Sequence, residues 1–91
     1  VMSLPSSMPL GIEIDCYDIF YDTPHVIDDP VEYHEIENII VDLIEDNVDN
    51  VSEWCNVDEP IYLSVSCRAT GATQKFYACL TTSWVAGEIS E

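Results

Sequence analysis

The sequence predicts a small α+β fold in the order β-α-β-β, a three-stranded antiparallel sheet with one amphipathic helix packed across it. Three observations carry this: an alternating apolar segment near the start, an apolar stripe at helical spacing in the middle, and two alternating segments joined by a glycine turn near the end. At 91 residues the chain makes one domain with a core and leaves no room for two. Its 47% hydrophobic content belongs to a folding chain rather than a disordered one.

Residues 1–10, with Pro5, Ser6, Ser7 and Pro9, read as an extended arm, and the single acidic domain is expected to span 11–91. Residues 11–22 begin as a half-buried strand, with Ile12, Ile14 and Cys16 on one face and Glu13, Asp15 and Tyr17 on the other. The alternation slips at Asp18. A bulge near Tyr17 and Asp18 would bring Glu13, Asp15, Asp18 and Asp22 to one side.

After a connection over 23–28, Asp29-Pro30-Val31-Glu32 has the form of a helix start: Asp29 as the cap, proline at the first position, and Glu32 three residues after the cap. Tyr33, Ile36, Ile40, Leu43, Ile44, Val48 and Val51 then step mainly by three and four, which predicts a helix of about 18 to 20 residues. Its end is soft, because Asp46 to Val51 form helix poorly. Asn50 with Glu53 offers a second cap, to a short turn through Trp54 and Cys55.

Ile61, Leu63, Val65 and Cys67 alternate with polar neighbours, as do Phe76, Ala78 and Leu80. Between the two runs, Thr70-Gly71-Ala72-Thr73 suits a two-residue type II′ loop. That loop sets Cys67 opposite Phe76, Val65 opposite Ala78, Leu63 opposite Leu80, and Arg68 opposite Lys75. A split arrangement would place the last of the three strands in the middle of the sheet.

The charge is far from ordinary: 18 Asp and Glu against 2 Lys and Arg, for a net charge of -16. It is also segregated. Between Glu13 and Glu59 lie 16 of the 18 acids and no Lys or Arg, whereas from Pro60 to Gly87 the only charged residues are Arg68 and Lys75. On the helix, Glu35, Asp42, Glu45, Asp46, Asp49 and Glu53 fall largely opposite the apolar stripe. Like-charge pairs such as Asp42 with Asp46 and Glu45 with Asp49 each cost about 0.2 to 0.5 kcal/mol, and those near the C-terminus oppose the helix dipole. Salt adaptation would spread its acids more evenly. An acidic face kept at this cost points to a cationic partner, because such a field repels nucleic acid and anionic lipid and steers basic proteins inward.

Other chemistries find little support. Cys16, Cys55, Cys67 and Cys79 have no metal or redox spacing, and reduced thiols in a cytoplasm are the expectation. Cys16 and Cys67 fall on core faces and Cys79 on the opposite one, and the negative field would raise a thiol's pKa. Asn47 to Ser52 lacks the ligands and glycine of a calcium loop. His34-Glu35 lacks the second histidine of a zinc site, since Asn38 stands in its place. His25 is expected in a loop and His34 on the helix surface. No phosphate loop, dinucleotide fingerprint or nucleophile elbow occurs, and neither a catalytic role nor a cofactor is expected. No run of 18 apolar residues and no charged, uninterrupted leader is present, so neither a membrane span nor a signal peptide is expected.

The function expected from these residues is non-catalytic inhibition by nucleic-acid mimicry. Carboxylates of the helix (Glu35, Asp42, Glu45, Asp46, Asp49, Glu53) and of the strand (Glu13, Asp15, Asp18, Asp22) would occupy the Lys and Arg sites of a basic nucleic-acid-binding protein or nucleoprotein complex. A phage-encoded anti-CRISPR or anti-restriction protein would act in this way inside the host cytoplasm. Two rivals stand beside it: an acidic immunity or antitoxin protein that neutralises one basic toxin with the same electrostatics through a narrower, aromatic-anchored interface, for which Trp54, Trp84, Tyr17, Tyr21, Tyr62 and Tyr77 are the candidate anchors, and a structural or assembly homodimer joined through an open sheet edge.

Overall fold

The computed structural model describes residues 4–16, 20, 23–47 and 59–89. It is an α+β domain with one helix packed on a sheet, but the sheet has five strands where the sequence suggests three. The elements are β1 (Ser7–Met8), β2 (Ile12–Asp15), β3 (His25–Ile27), β4 (Val31–Glu32), a 3-10 turn (Tyr33–Glu35), α1 (Ile36–Asp46), β5 (Ile61–Cys67), β6 (Thr73–Leu80) and β7 (Trp84–Glu88). The main sheet is antiparallel in the order β3-β2-β5-β6-β7, and β1 pairs with β4 in a separate two-stranded ladder.

The middle strand is therefore β5 and not β6. Residues 84–88 form a further strand that takes the outer edge of β6, so β2 pairs with β5 instead, and His25–Ile27 folds back to close the other side of β2. Neither added strand carries a strong sequence signal. His25–Ile27 is three residues long among turn formers, and Trp84–Glu88 contains Gly87, a residue poorly suited to a strand. The ring of Tyr77, paired with Gly87 across the ladder, takes the space a side chain would occupy there: a Cβ on Gly87 would stand 2.7 Å from its Cε1 and hydroxyl.

The helix starts later than the Asp29-Pro30 signal indicates. Val31–Glu32 is instead an extended pair with Ser7–Met8, and the Tyr33 N–H donates to the Ser6 carbonyl at 3.0 Å. Met8 and Val31 are both buried, so tertiary pairing outweighs the local capping pattern. The N-terminal arm is thus extended at Ser7–Met8 but folded against the domain, with Leu4 and Met8 in its core. α1 has 11 residues and ends as Asn47 turns back: its N–H donates to the Ile44 carbonyl at 3.0 Å, and its Nδ2 to the Leu43 carbonyl at 2.8 Å. The second cap at Asn50 and Glu53, the turn at Trp54 and Cys55, and the bulge at Tyr17 and Asp18 lie outside the described residues.

The β5–β6 hairpin keeps its apolar faces but not its register. Leu63 faces Phe76 rather than Leu80, Val65 faces Gln74 rather than Ala78, and Lys75 faces Ser64 rather than Arg68. The loop is longer than the two residues that a type II′ turn needs. The Cys67 N–H donates to the Ala72 carbonyl at 2.8 Å, the Gly71 N–H donates to the Cys67 carbonyl at 2.7 Å, and Gly71 sits in the left-handed region at φ 78°. Each β5 residue moves four places along β6, an even number, so no side chain changes face.

Among the described residues the core lies on one side of the main sheet. Ile36, Ile40, Leu43 and Ile44 of α1 share one cluster with Ile12, Ile14, Ile61, Leu63, Val65, Cys67, Phe76 and Ala78, and Leu4, Met8 and Val31 join it. The opposite face of the sheet carries Glu13, Asp15, Val26, Tyr62, Ser64, Ser66, Lys75, Tyr77, Cys79 and Val85. Among the described residues no helix covers it.

Candidate interaction surface

At 100° per residue, the buried side chains of α1 point in one direction, and Asn38, Asp42, Glu45 and Asp46 point away from it, with Glu35 in line just before the first turn. Glu35, Asp42, Glu45 and Asp46 are exposed. Asp42 and Asp46 stand one turn apart, and the row from Glu35 to Asp46 spans about 16 Å along the axis. The last turn of α1 contains no basic residue. The remaining helix acid, Glu37, sits on the flank nearest Tyr33.

Glu13 and Asp15 lie elsewhere. They occupy the alternate positions of β2, opposite Ser66 and Ser64, and therefore point from the sheet face turned away from α1. Glu13 is half-buried between Val26 and Ser66, and Asp15 is exposed. The helix and strand acids expected to act together are thus on opposite sides of the molecule, because a helix shows solvent its outer face while the sheet shows solvent its far one. Asp49, Glu53, Asp18 and Asp22 fall outside the described residues.

The two cations serve different ends. Arg68, in the β5–β6 loop, forms an ion pair with Asp28, so it balances the acidic connection before β4 instead of repelling Lys75. The Asp28 side chain is largely exposed and that of Arg68 partly so, and pairs of this kind contribute little stability. Lys75 is exposed in the row of Asp15 and Ser64 on the open sheet face.

The Tyr33 hydroxyl donates to the Glu88 carboxylate and ties the start of the helical segment to the edge strand β7. Burial, this hydrogen bond, and the negative charges of Glu88 and Glu37 push its pKa up to about 12. Because the folded state retains a proton that the unfolded chain loses near pH 10, this contribution to stability is complete below pH 10. It is lost as the pH rises toward 12. Alkaline titration followed by tyrosine absorbance should show one late ionisation near pH 12, and Tyr33→Phe should remove it; a late step that survives the substitution belongs to another tyrosine.

Cys67 corrects an expectation. Burial pushes its thiol up, but the hydroxyl and amide of Thr70 and the amide of Ala69 outweigh this and leave it below its ordinary value. It is nonetheless fully buried beneath the hairpin loop. Cys16 is buried as well, and Cys79 is half-buried on the far face, as the alternation indicates. His25 stacks on Phe20 with ring centroids 5.8 Å apart, and His34 is exposed. Among the described residues no three His, Cys, Asp or Glu side chains gather as metal ligands, and no helix is long and apolar enough to cross a membrane.

One feature assembles only in the folded chain. Pro60, Tyr62, Tyr77, Cys79, Glu88 and Ile89 line an open groove of about 460 Å³. Val26, Tyr62 and Val85, three of the four exposed large hydrophobic side chains among the described residues, stand on the same sheet face. The signal was present as Tyr62 and Tyr77 at the polar positions of their strands, but their pairing depends on the register.

Fold and surface together define an acidic α+β protein with two solvent-facing features, a carboxylate row on the helix and an aromatic groove on the opposite side. Compared with protein-family models, curated proteins and solved structures, the chain matches none.

Proposed function

We propose that this protein is a non-catalytic inhibitor that binds the basic, nucleic-acid-binding surface of a partner protein in place of nucleic acid, in the manner of a phage anti-defence protein. The observation that carries this reading is the exposed row formed by Glu35, in the turn that leads into α1, and Asp42, Glu45 and Asp46 on α1, in a chain of net charge -16 with no Lys or Arg from Glu13 to Glu59. Carboxylates one helical turn apart present a ladder of negative charge to lysines and arginines that otherwise hold phosphates. The field around them speeds encounter with such a surface and repels nucleic acid itself. Binding then competes without turnover.

The test is capture on the immobilised protein at low and high salt, followed by competition with duplex DNA or RNA. The captured protein should be retained at low salt, released as salt rises, and displaced by nucleic acid. Retention in excess nucleic acid overturns mimicry.

One observation favours a second reading. Tyr62 is 63% exposed beside a groove, which suits the narrower, aromatic-anchored interface of an immunity or antitoxin protein toward a basic toxin. That reading gains if a captured toxin is neutralised and nucleic acid fails to displace it.

A further inference from the structure

The open sheet face departs from the rest of the molecule in being apolar at one end. Tyr62 and Tyr77 are cross-strand partners, and the Tyr77 ring is held against the sheet by the bare Gly87 beside it. Tyr62 stands out into solvent, and Cys79, Ile89 and Pro60 complete an apolar floor with Glu88 at the edge strand. Glu13 and Asp15 lie toward the other end of the same face, and Lys75 is its single Lys or Arg.

We propose that this groove takes an arginine side chain of a basic protein partner, its guanidinium stacked on Tyr62 and Tyr77. The proposal rests on the reading of a basic partner and adds an anchor that the helix acids do not supply. Charge complementarity selects the occupant. A second copy of the chain would bring another -16 to the contact, whereas a guanidinium is drawn in by the same field. Arginine suits the groove better than lysine, because its planar, weakly hydrated head lies flat on an aromatic face and its stem covers apolar surface. The helix row consists of carboxylates and presents no aromatic ring for such stacking.

The test uses the full chain titrated with an oligoarginine peptide and an oligolysine peptide of equal length. Oligoarginine should bind roughly fivefold more tightly. Tyr62→Ala should remove that margin while leaving oligolysine binding unchanged, and Tyr62→Phe, which keeps the ring, should retain it. Equal affinities for the two peptides, or a preference that survives Tyr62→Ala, overturn the groove. Asp42→Lys with Asp46→Lys separates the two levels. Uniform weakening of both peptides supports the acidic helix face, and no weakening with the margin intact removes that face while sustaining the groove.

Discussion

Gly11→Ala is expected to destabilise the protein by about 3 kcal/mol, a large fraction of the stability of a small domain. Gly11 sits at φ 86°, where a side chain is strained, and a Cβ there would stand 1.8 Å from the Ile27 carbonyl oxygen and 2.8 Å from its carbon. The obstruction is backbone, so β3 would have to move. Gly11 also joins three parts of the chain: its N–H donates to the Met8 carbonyl at 3.0 Å, and its carbonyl accepts from the Arg68 N–H at 3.2 Å. Gly71 provides the control. At φ 78° with open space around it, Gly71→Ala should cost only about 1 kcal/mol, the penalty of the left-handed backbone. Urea unfolding of the two variants reads the difference directly; equal losses would show that the approach of β3 to Gly11 contributes nothing.

Asp42→Lys with Asp46→Lys should weaken binding to the captured partner by roughly a hundredfold at low salt while leaving the fold intact and slightly steadier. Both carboxylates stand in the second half of α1, Asp46 at its last position, where negative charge opposes the helix dipole, and Asp42 also repels Glu45 three residues on. Lysines there suit the dipole and attract Glu45, which outweighs their repulsion of one another and steadies the helix by about 0.5 kcal/mol, while presenting repulsive charge to a basic surface. Unchanged affinity in a variant that melts no lower than the parent would exclude the helix row as the contact.

Which face of its element each described candidate acid occupies was legible beforehand, because the period of a helix or strand decides which side chains share a face. Asp42, Glu45 and Asp46 fall on the outer face of α1 by their spacing alone, with Glu35 in line in the turn before it, and Glu13 and Asp15 on the polar face of β2. That these two sets look in opposite directions was not legible, since it follows from which sheet face the helix covers. The groove was hidden for a related reason: Tyr62 and Tyr77 become neighbours only through a register set by a four-residue loop around Gly71. The Asp29-Pro30 pattern misled because it is a local preference, worth on the order of 1 kcal/mol, set against the burial of Met8 and Val31 in a ladder formed from distant segments.

By itself the sequence determined the α+β class, the apolar faces of the helix and hairpin, the burial of Cys16 and Cys67, and a net charge confined largely to one stretch of chain. These are properties of period and composition, carried by residues near one another in sequence. Tertiary structure alone decided the number of strands, their order, the register of the hairpin, the late start of α1, and the division of the acids between two sides. Each of those depends on which free strand edge or apolar face another segment happens to satisfy, a competition among distant parts of the chain that no local pattern records.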